Sequence, residues 1–173
     1  MPLDHLWATW RSVYIDQVVD SRTAPSIAEA DGRSLFERIL HADAPDADKH
    51  LVWRGEHCFV LLNKFPYTSG HLMVLPNRAE PALEGLTPAE QGELWSLVSD
   101  AVVALKAGFA CEGVNVGINL GTAAGGSQAD HLHVHCVPRW VGDANFVGVI
   151  AETRVLPISL DDAFAKLRAA WPA

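Results

Sequence analysis

A chain of 173 residues with 49% hydrophobic and 20% charged residues is enough for a single domain, burying about 70% of the surface that its unfolded form exposes. The formal net charge of −8 argues against a general nucleic-acid binder, which needs a basic surface to displace counterions from phosphates. No apolar stretch is long enough to span a bilayer, and Met1 to Ser21, interrupted by Asp4, Asp16 and Asp20, does not read as a signal peptide. No membrane partner is therefore expected, and the expected compartment is the cytoplasm.

In chain order, His5 to Val18 has a mostly helical spacing with an unusual aromatic load, including Trp7 and Trp10, suited to core or to an arm that packs on a partner subunit. Ser34 to His41 reads as a short helix. Leu51-Val52-Trp53 and Cys58 to Leu62 flank a turn and read as a hairpin, and a third strand runs from His71 to Leu75. Thr87-Pro88-Ala89-Glu90 is a strong helix start, with a capping threonine, a first-turn proline and a glutamate that completes a capping box. That helix runs to about Ala107 and buries Leu94, Leu97, Val98, Ala101, Val102 and Leu105 at spacings of three and four. Gly113 to Asn119 and His131 to Pro138 read as strands, Asn145 to Ala151 as another, and Ser159 caps a C-terminal helix to about Trp171. Strands that pair in sequence around one long helix predict an α+β fold with a largely antiparallel sheet. Cys58, Cys111 and Cys136 form no C-x-x-C pair and sit in apolar surroundings, as reduced buried thiols do.

The most specific segment is His131-Leu132-His133-Val134-His135-Cys136-Val137. Side chains two apart on a strand share a face, so three imidazoles are expected on one surface while Leu132, Val134 and Cys136 face a core. The loop leading in, Asn119-Leu120-Gly121-Thr122-Ala123-Ala124-Gly125-Gly126-Ser127-Gln128, has the glycines of an anion-binding nest, a hydroxyl on Ser127 and an amide on Asn119. Local cations such as Lys64, Arg78 or Arg139 are candidates to assist it. A neutral imidazole whose other ring nitrogen is held can attack phosphorus. The pattern therefore suits phosphoryl or nucleotidyl transfer through a phosphohistidine-type intermediate, with loop donors on the non-bridging oxygens. Zinc held by the histidines is the main rival, although no acidic or sulfur ligand lies at familiar spacing. A purely structural role for all three ranks last.

The histidine segment resembles the histidine triad of the HIT superfamily. Asn63 to Pro76, NKFPYTSGHLMVLP, resembles that family's first nucleotide-contacting segment, and NLGTAAGGSQADHLHVHCVPRWVGDANF is similar to the bacterial diadenosine tetraphosphate phosphorylase branch. The resemblance implies a HIT-like fold with a five-stranded sheet, one long helix and a C-terminal helix. It implies a single domain over 1–173, with 1–32 as an N-terminal arm and 152–173 as a C-terminal extension. It also implies that His133 is the nucleophile that becomes adenylylated, that His131 and His135 orient it and the phosphate, and that Asn119, Gly125, Gly126 and Ser127 cradle phosphate. Asn63 would contact the nucleoside, with an apolar slot near Leu62 and Phe65 for the base, although spacing alone favours a turn role for Asn63. His71 matches a family histidine for which a structural role beneath the triad is at least as good a reading.

One departure stands out. Relatives with a structural zinc hold it by a C-x-x-C pair, a histidine after the third strand and the first triad histidine; the matching positions here are Ser34, Glu37 and Ala79, beside His131. The expectation is no structural metal and a hydrogen-bonded or packed substitute, with inorganic phosphate as co-substrate and room for a divalent cation accompanying the nucleotide. The implied partners are adenine nucleotides or dinucleoside polyphosphates and further copies of the chain, as a homodimer or a tetramer. The activity implied is phosphorolysis of diadenosine tetraphosphate. The alternatives are hydrolysis of dinucleoside polyphosphates or AMP phosphoramidates, or, in another class, a nucleotide- or partner-binding protein with slow turnover.

Overall fold

The computed structural model describes residues 32–125, 128–143 and 156–172. The aromatic segment with Trp7 and Trp10, Gly126, Ser127 and the strand expected at Asn145 to Ala151 lie outside the described residues. From Ser34 onward the chain is one compact unit. It contains helix α1 (Leu35–His41), strands β1 (Leu51–Arg54), β2 (Cys58–Leu62) and β3 (Leu72–Pro76), the long helix α2 (Pro88–Phe109), strands β4 (Gly113–Ile118) and β5 (Val134–Arg139), and helix α3 (Leu160–Ala170).

The five strands form one sheet in the order β1-β2-β3-β5-β4 with every neighbouring pair antiparallel. Strands β2 and β3 are buried along their whole length, which explains their runs of Val and Leu without polar alternation. One face packs on α2 through Val52, Cys58, Val60, Leu62, Leu72, Val74, Leu132, Val134 and Cys136, with Ala163 and Leu167 of α3 completing this core. The opposite face carries Leu51, Phe59, Leu61, Met73 and Leu75 against Phe36 and Leu40 of α1. The sheet is thus covered by the long helix on one side and by a two-turn helix on the other.

Local chemistry sets the ends of the helices. Thr87 caps α2 by accepting the Glu90 N–H while Glu90 accepts the Thr87 N–H, and Pro88 opens the first turn. Leu94, Leu97, Val98, Ala101, Ala104 and Leu105 are buried along it, so Ala104 takes the core place expected of Val102, which is half-buried. Ser159 caps α3. Gly70 has φ 87, and a Cβ there would meet the Phe109 ring at 2.9 Å; glycine lets the chain enter β3 against the end of α2 and so seats His71. Among the described residues no helix is long and apolar enough to cross a membrane.

Candidate active site

The ladder of β5 begins later than the histidine pattern suggests. Its register with β3 pairs Val74 with Val134 and Leu72 with Cys136, and continuing it would set Leu132 opposite Pro76. Proline has no N–H to give, and its carbonyl accepts instead from the Nε2–H of the His131 ring at 2.9 Å. His131 and His133 therefore lie on an extended lead-in, where the Leu132 N–H bonds the Glu80 carbonyl at 2.8 Å. The alternation still holds: Leu132, Val134 and Cys136 enter the core on the α2 side, and the histidines take the other face.

Hydrogen bonds to carbonyls, which only accept, assign the ring protons. His133 Nδ1–H donates to the His131 carbonyl at 2.9 Å, leaving the lone pair of a neutral His133 on Nε2. His131 is fully buried. Its Nε2–H is used by Pro76, so its Nδ1 accepts from the Ser34 hydroxyl at 2.7 Å. Burial pushes the His131 ring below its ordinary value. On the far side, His71 Nδ1 accepts from the Tyr67 N–H at 3.2 Å. The proton of a neutral His71 therefore sits on Nε2 and is donated to His135 Nδ1 at 2.9 Å. His135 must then carry its own proton on Nε2, and that buried nitrogen has no hydrogen-bond partner among the described residues. Burial, with His133 adding to it, pushes the His135 ring down to about 4, so near neutral pH it is an uncharged donor with an unused N–H.

His133 and His135 open onto a cavity of about 910 Å³. Asn63, Asn119 and Gly125 line it as well, as does Lys64. Gly125 has φ 93, a left-handed conformation that favours glycine. The other expected loop donors, Gly126 and Ser127, lie outside the described residues. The apolar wall comes from Phe36 and Ile39 of α1 and from Leu61, Leu62 and Phe65. Asn63 fills the turn role that spacing favours, its side-chain oxygen accepting the Phe65 N–H at 2.9 Å, and it also faces the cavity.

Two expected cations are placed elsewhere. Arg78 binds Glu80, Glu90 and the Gly85 carbonyl, and Arg139 binds Asp143 and Asn115; neither lines the cavity. Sequence reasoning missed Arg38, Lys49 and His50, which do line it. These residues are contributed by α1 and by the turn before β1, so no single periodic stretch announces them.

The positions implied for a structural zinc are joined to one another by hydrogen bonds. Ser34 and Glu37 form the capping box of α1. Ser34 also bonds His131, and the Glu37 carboxylate accepts the backbone N–H of Ala79 at 3.0 Å and of Ser34 at 2.8 Å. Burial alone would raise the Glu37 carboxyl, but these N–H donors hold it below its ordinary value. A hydroxyl, one carboxylate, a methyl group and an imidazole bonded at both nitrogens do not fit a structural zinc, which needs four strong donors. Among the described residues no group of three or more His, Cys, Asp or Glu is arranged to hold a metal.

Comparison with known proteins places this geometry. Residues 44–141 match the HIT domain. The AP-4-A phosphorylase of Mycobacterium tuberculosis is 40% identical over 169 residues, covering 98% of this chain and 85% of that protein. The asymmetrical bis(5'-nucleosyl)-tetraphosphatase of Schizosaccharomyces pombe is 37% identical over 93 residues, 54% of this chain and 50% of that one. Among solved structures, a zinc-bound histidine triad family protein from Mycobacterium smegmatis superimposes with a TM-score of 0.64 at 28% identity, over 79% of this chain and 91% of that one.

Proposed function

Since the chain belongs to the HIT domain family, we propose that it is a nucleotidyl transferase that cleaves diadenosine tetraphosphate with inorganic phosphate, giving ATP and ADP through an AMP–His133 intermediate. The observation that carries this reading is the tautomer of His133, whose Nδ1–H is held by the His131 carbonyl so that the Nε2 lone pair is available at a large cavity.

In the first step His133 Nε2 attacks the α-phosphorus, a P–N bond forms, the P–O bond to ATP breaks, and ATP leaves. Positive charge develops on the ring as this happens, and the His131 carbonyl aligned with Nδ1–H stabilises it. The unused Nε2–H of His135 donates to an oxygen of the phosphate under attack. In the second step an oxygen of inorganic phosphate attacks the same phosphorus, the P–N bond breaks, and ADP leaves with His133 restored. Asn119, Gly125, Gly126 and Ser127 are assigned to hold phosphate, Asn63 to contact the nucleoside, and the apolar wall of Phe36, Ile39 and Leu61 to take the base. A divalent cation would travel with the polyphosphate.

The whole chain is read as one domain, with 1–32 as an arm and 152–173 as an extension, acting in the cytoplasm on small nucleotides. A homodimer is assigned to the edge of β4, which among the described residues pairs with β5 alone and carries the exposed Asn115, Val116 and Gly117, since an open strand edge is a template for pairing. Sedimentation would read that state, and a monomer at micromolar concentration would overturn it.

Product identity tests the activity. Diadenosine tetraphosphate is incubated with and without inorganic phosphate, and the expected products with phosphate are equal ATP and ADP. Phosphate-independent AMP release would move the protein to hydrolysis, the activity named for the yeast relative. No turnover in either case would leave a binding protein.

A further inference from the structure

The capping box of α1 has a spacing of three residues, Ser34 to Glu37, and each of its side chains has a second partner outside the helix. Glu37 reaches the backbone of Ala79, just beyond β3, and Ser34 reaches the ring of His131. From Ser34 the bonds run directly to the reacting group. The Ser34 hydroxyl donates to His131 Nδ1, His131 Nε2–H donates to the Pro76 carbonyl, and the His131 carbonyl receives the proton of His133 Nδ1. Phe36 lies two residues along the same helix, with its ring 5.5 Å from His131 and 5.4 Å from His133. The start of α1 is thus fastened to the triad by a side-chain bond and by aromatic contacts, in a region buried at Ser34, Phe36, His131 and His133.

We propose that Ser34 is a positioning residue for adenylyl transfer, its one hydroxyl proton fixing the His131 ring and through it the carbonyl that aims His133 Nε2 at phosphorus. The inference rests on the assignment of His133 as nucleophile. Ser34 touches neither substrate nor the reacting atoms. Its lone pair caps the helix by accepting the Glu37 N–H at 3.1 Å, and its proton serves the histidine, so the two tasks fall on different parts of the hydroxyl and can be separated by substitution. Aspartate keeps a cap acceptor and has no proton to give when ionised. Threonine keeps both functions, and alanine loses both.

The test compares Ser34→Ala, Ser34→Asp and Ser34→Thr in the full chain. Single-turnover adenylylation of His133 by diadenosine tetraphosphate is measured alongside the ¹⁵N shifts of the imidazole nitrogens. The expected result is an about ten-fold fall in the adenylylation rate for alanine and aspartate alike, the size of one buried hydrogen bond. KM is expected to be little changed, and threonine should recover most of the rate. In aspartate the His131 Nδ1 resonance should move from the lone-pair range to the protonated range, since a carboxylate in that place draws a proton and leaves a positive ring beside the charge that develops on His133. A rate loss in alanine alone, with aspartate as active as wild type, would reduce Ser34 to a helix cap and overturn the inference. An unchanged His131 Nδ1 shift in both alanine and aspartate would overturn it too, and that readout needs no activity. Absence of an AMP adduct on the wild type would instead refute the nucleophile assignment.

Discussion

The two outer histidines of the triad sit four residues apart on one face and are finished differently. His131 has both ring nitrogens bonded, to Ser34 and to Pro76, within a packed shell of Phe36 and Phe59. His135 has one nitrogen bonded, to His71, and the other buried with no partner among the described residues. Leaving a buried donor unmet costs on the order of 1–3 kcal/mol, so such a group calls for a water, an ion or a ligand to complete it. The pattern HxHxH therefore hides a division of labour: one end is a closed anchor, the other an open donor, and His133 between them lines the cavity with its lone pair on Nε2.

The sharpest break would come from the middle position. His133→Ala should lower turnover by on the order of 10⁴-fold or more, since loss of a nucleophile removes the covalent route, and intact-mass analysis should detect the AMP adduct on the wild type only. Next come the outer pair, which should part company. His135→Ala is expected to cost about 10²-fold in turnover, the usual effect of deleting one donor to a charged transition state, with a smaller loss of stability than His131→Ala because only the His71 Nε2–H is stranded. His131→Ala should lower folding stability by about 2–4 kcal/mol, because it opens a cavity and strands Ser34 and the Pro76 carbonyl. Equal effects of the two variants on stability, read by urea denaturation, would erase the distinction between the closed and the open end of the triad.

Acid should sharpen the comparison further. In the folded chain His135 is held near 4 and His131 is also lowered from 6.5. Between about pH 6.5 and 4 the unfolded chain therefore binds protons that the folded chain refuses. Stability should fall as pH drops through that window and level off above it. Glu90 and Asp143, held to about 2, add their own loss only below their ordinary values of 4.5 and 3.8. Melting temperatures from pH 7 to 5 should show the histidine slope, and His135→Ala should flatten it. The smallest effect is expected in the loop. Ser127→Ala and Asn119→Ala should weaken the use of phosphate by roughly 2- to 13-fold without abolishing the adduct on His133, measured as the phosphate concentration at half-maximal ADP yield.

Much of this was legible in the residue pattern because it rests on local rules. Period-two alternation gave the faces of residues 131–136, and Thr87 and Ser159 marked their helix starts by capping chemistry, whereas the cap at Ser34 emerged only with the structure. The strand that starts at Val134 rather than His131 was not legible, since the ladder is cut short by Pro76, a residue distant in sequence. Nor did the pattern place Arg78 and Arg139, whose carboxylate partners come from the start of α2 and the turn after β5. The cavity positions of Arg38, Lys49 and His50 depend on how α1 and the turn before β1 converge, and no motif encodes a convergence. The resemblance supplied the nucleoside-contacting role proposed for Asn63, which spacing would have left as a turn residue.

The shortness of α1 has a kinetic consequence. Seven residues are too few to hold a helix in water, where isolated segments below about 12–15 residues are marginal. The segment is helical because Phe36 and Leu40 are buried against the sheet and Ser34 is tied to His131. Its opening should then be one cooperative event with loosening of the triad, and the amides of Arg38 to His41 should exchange with deuterium at rates matching that of the His133 amide. A nucleotide that seats on His133 should slow both sets together.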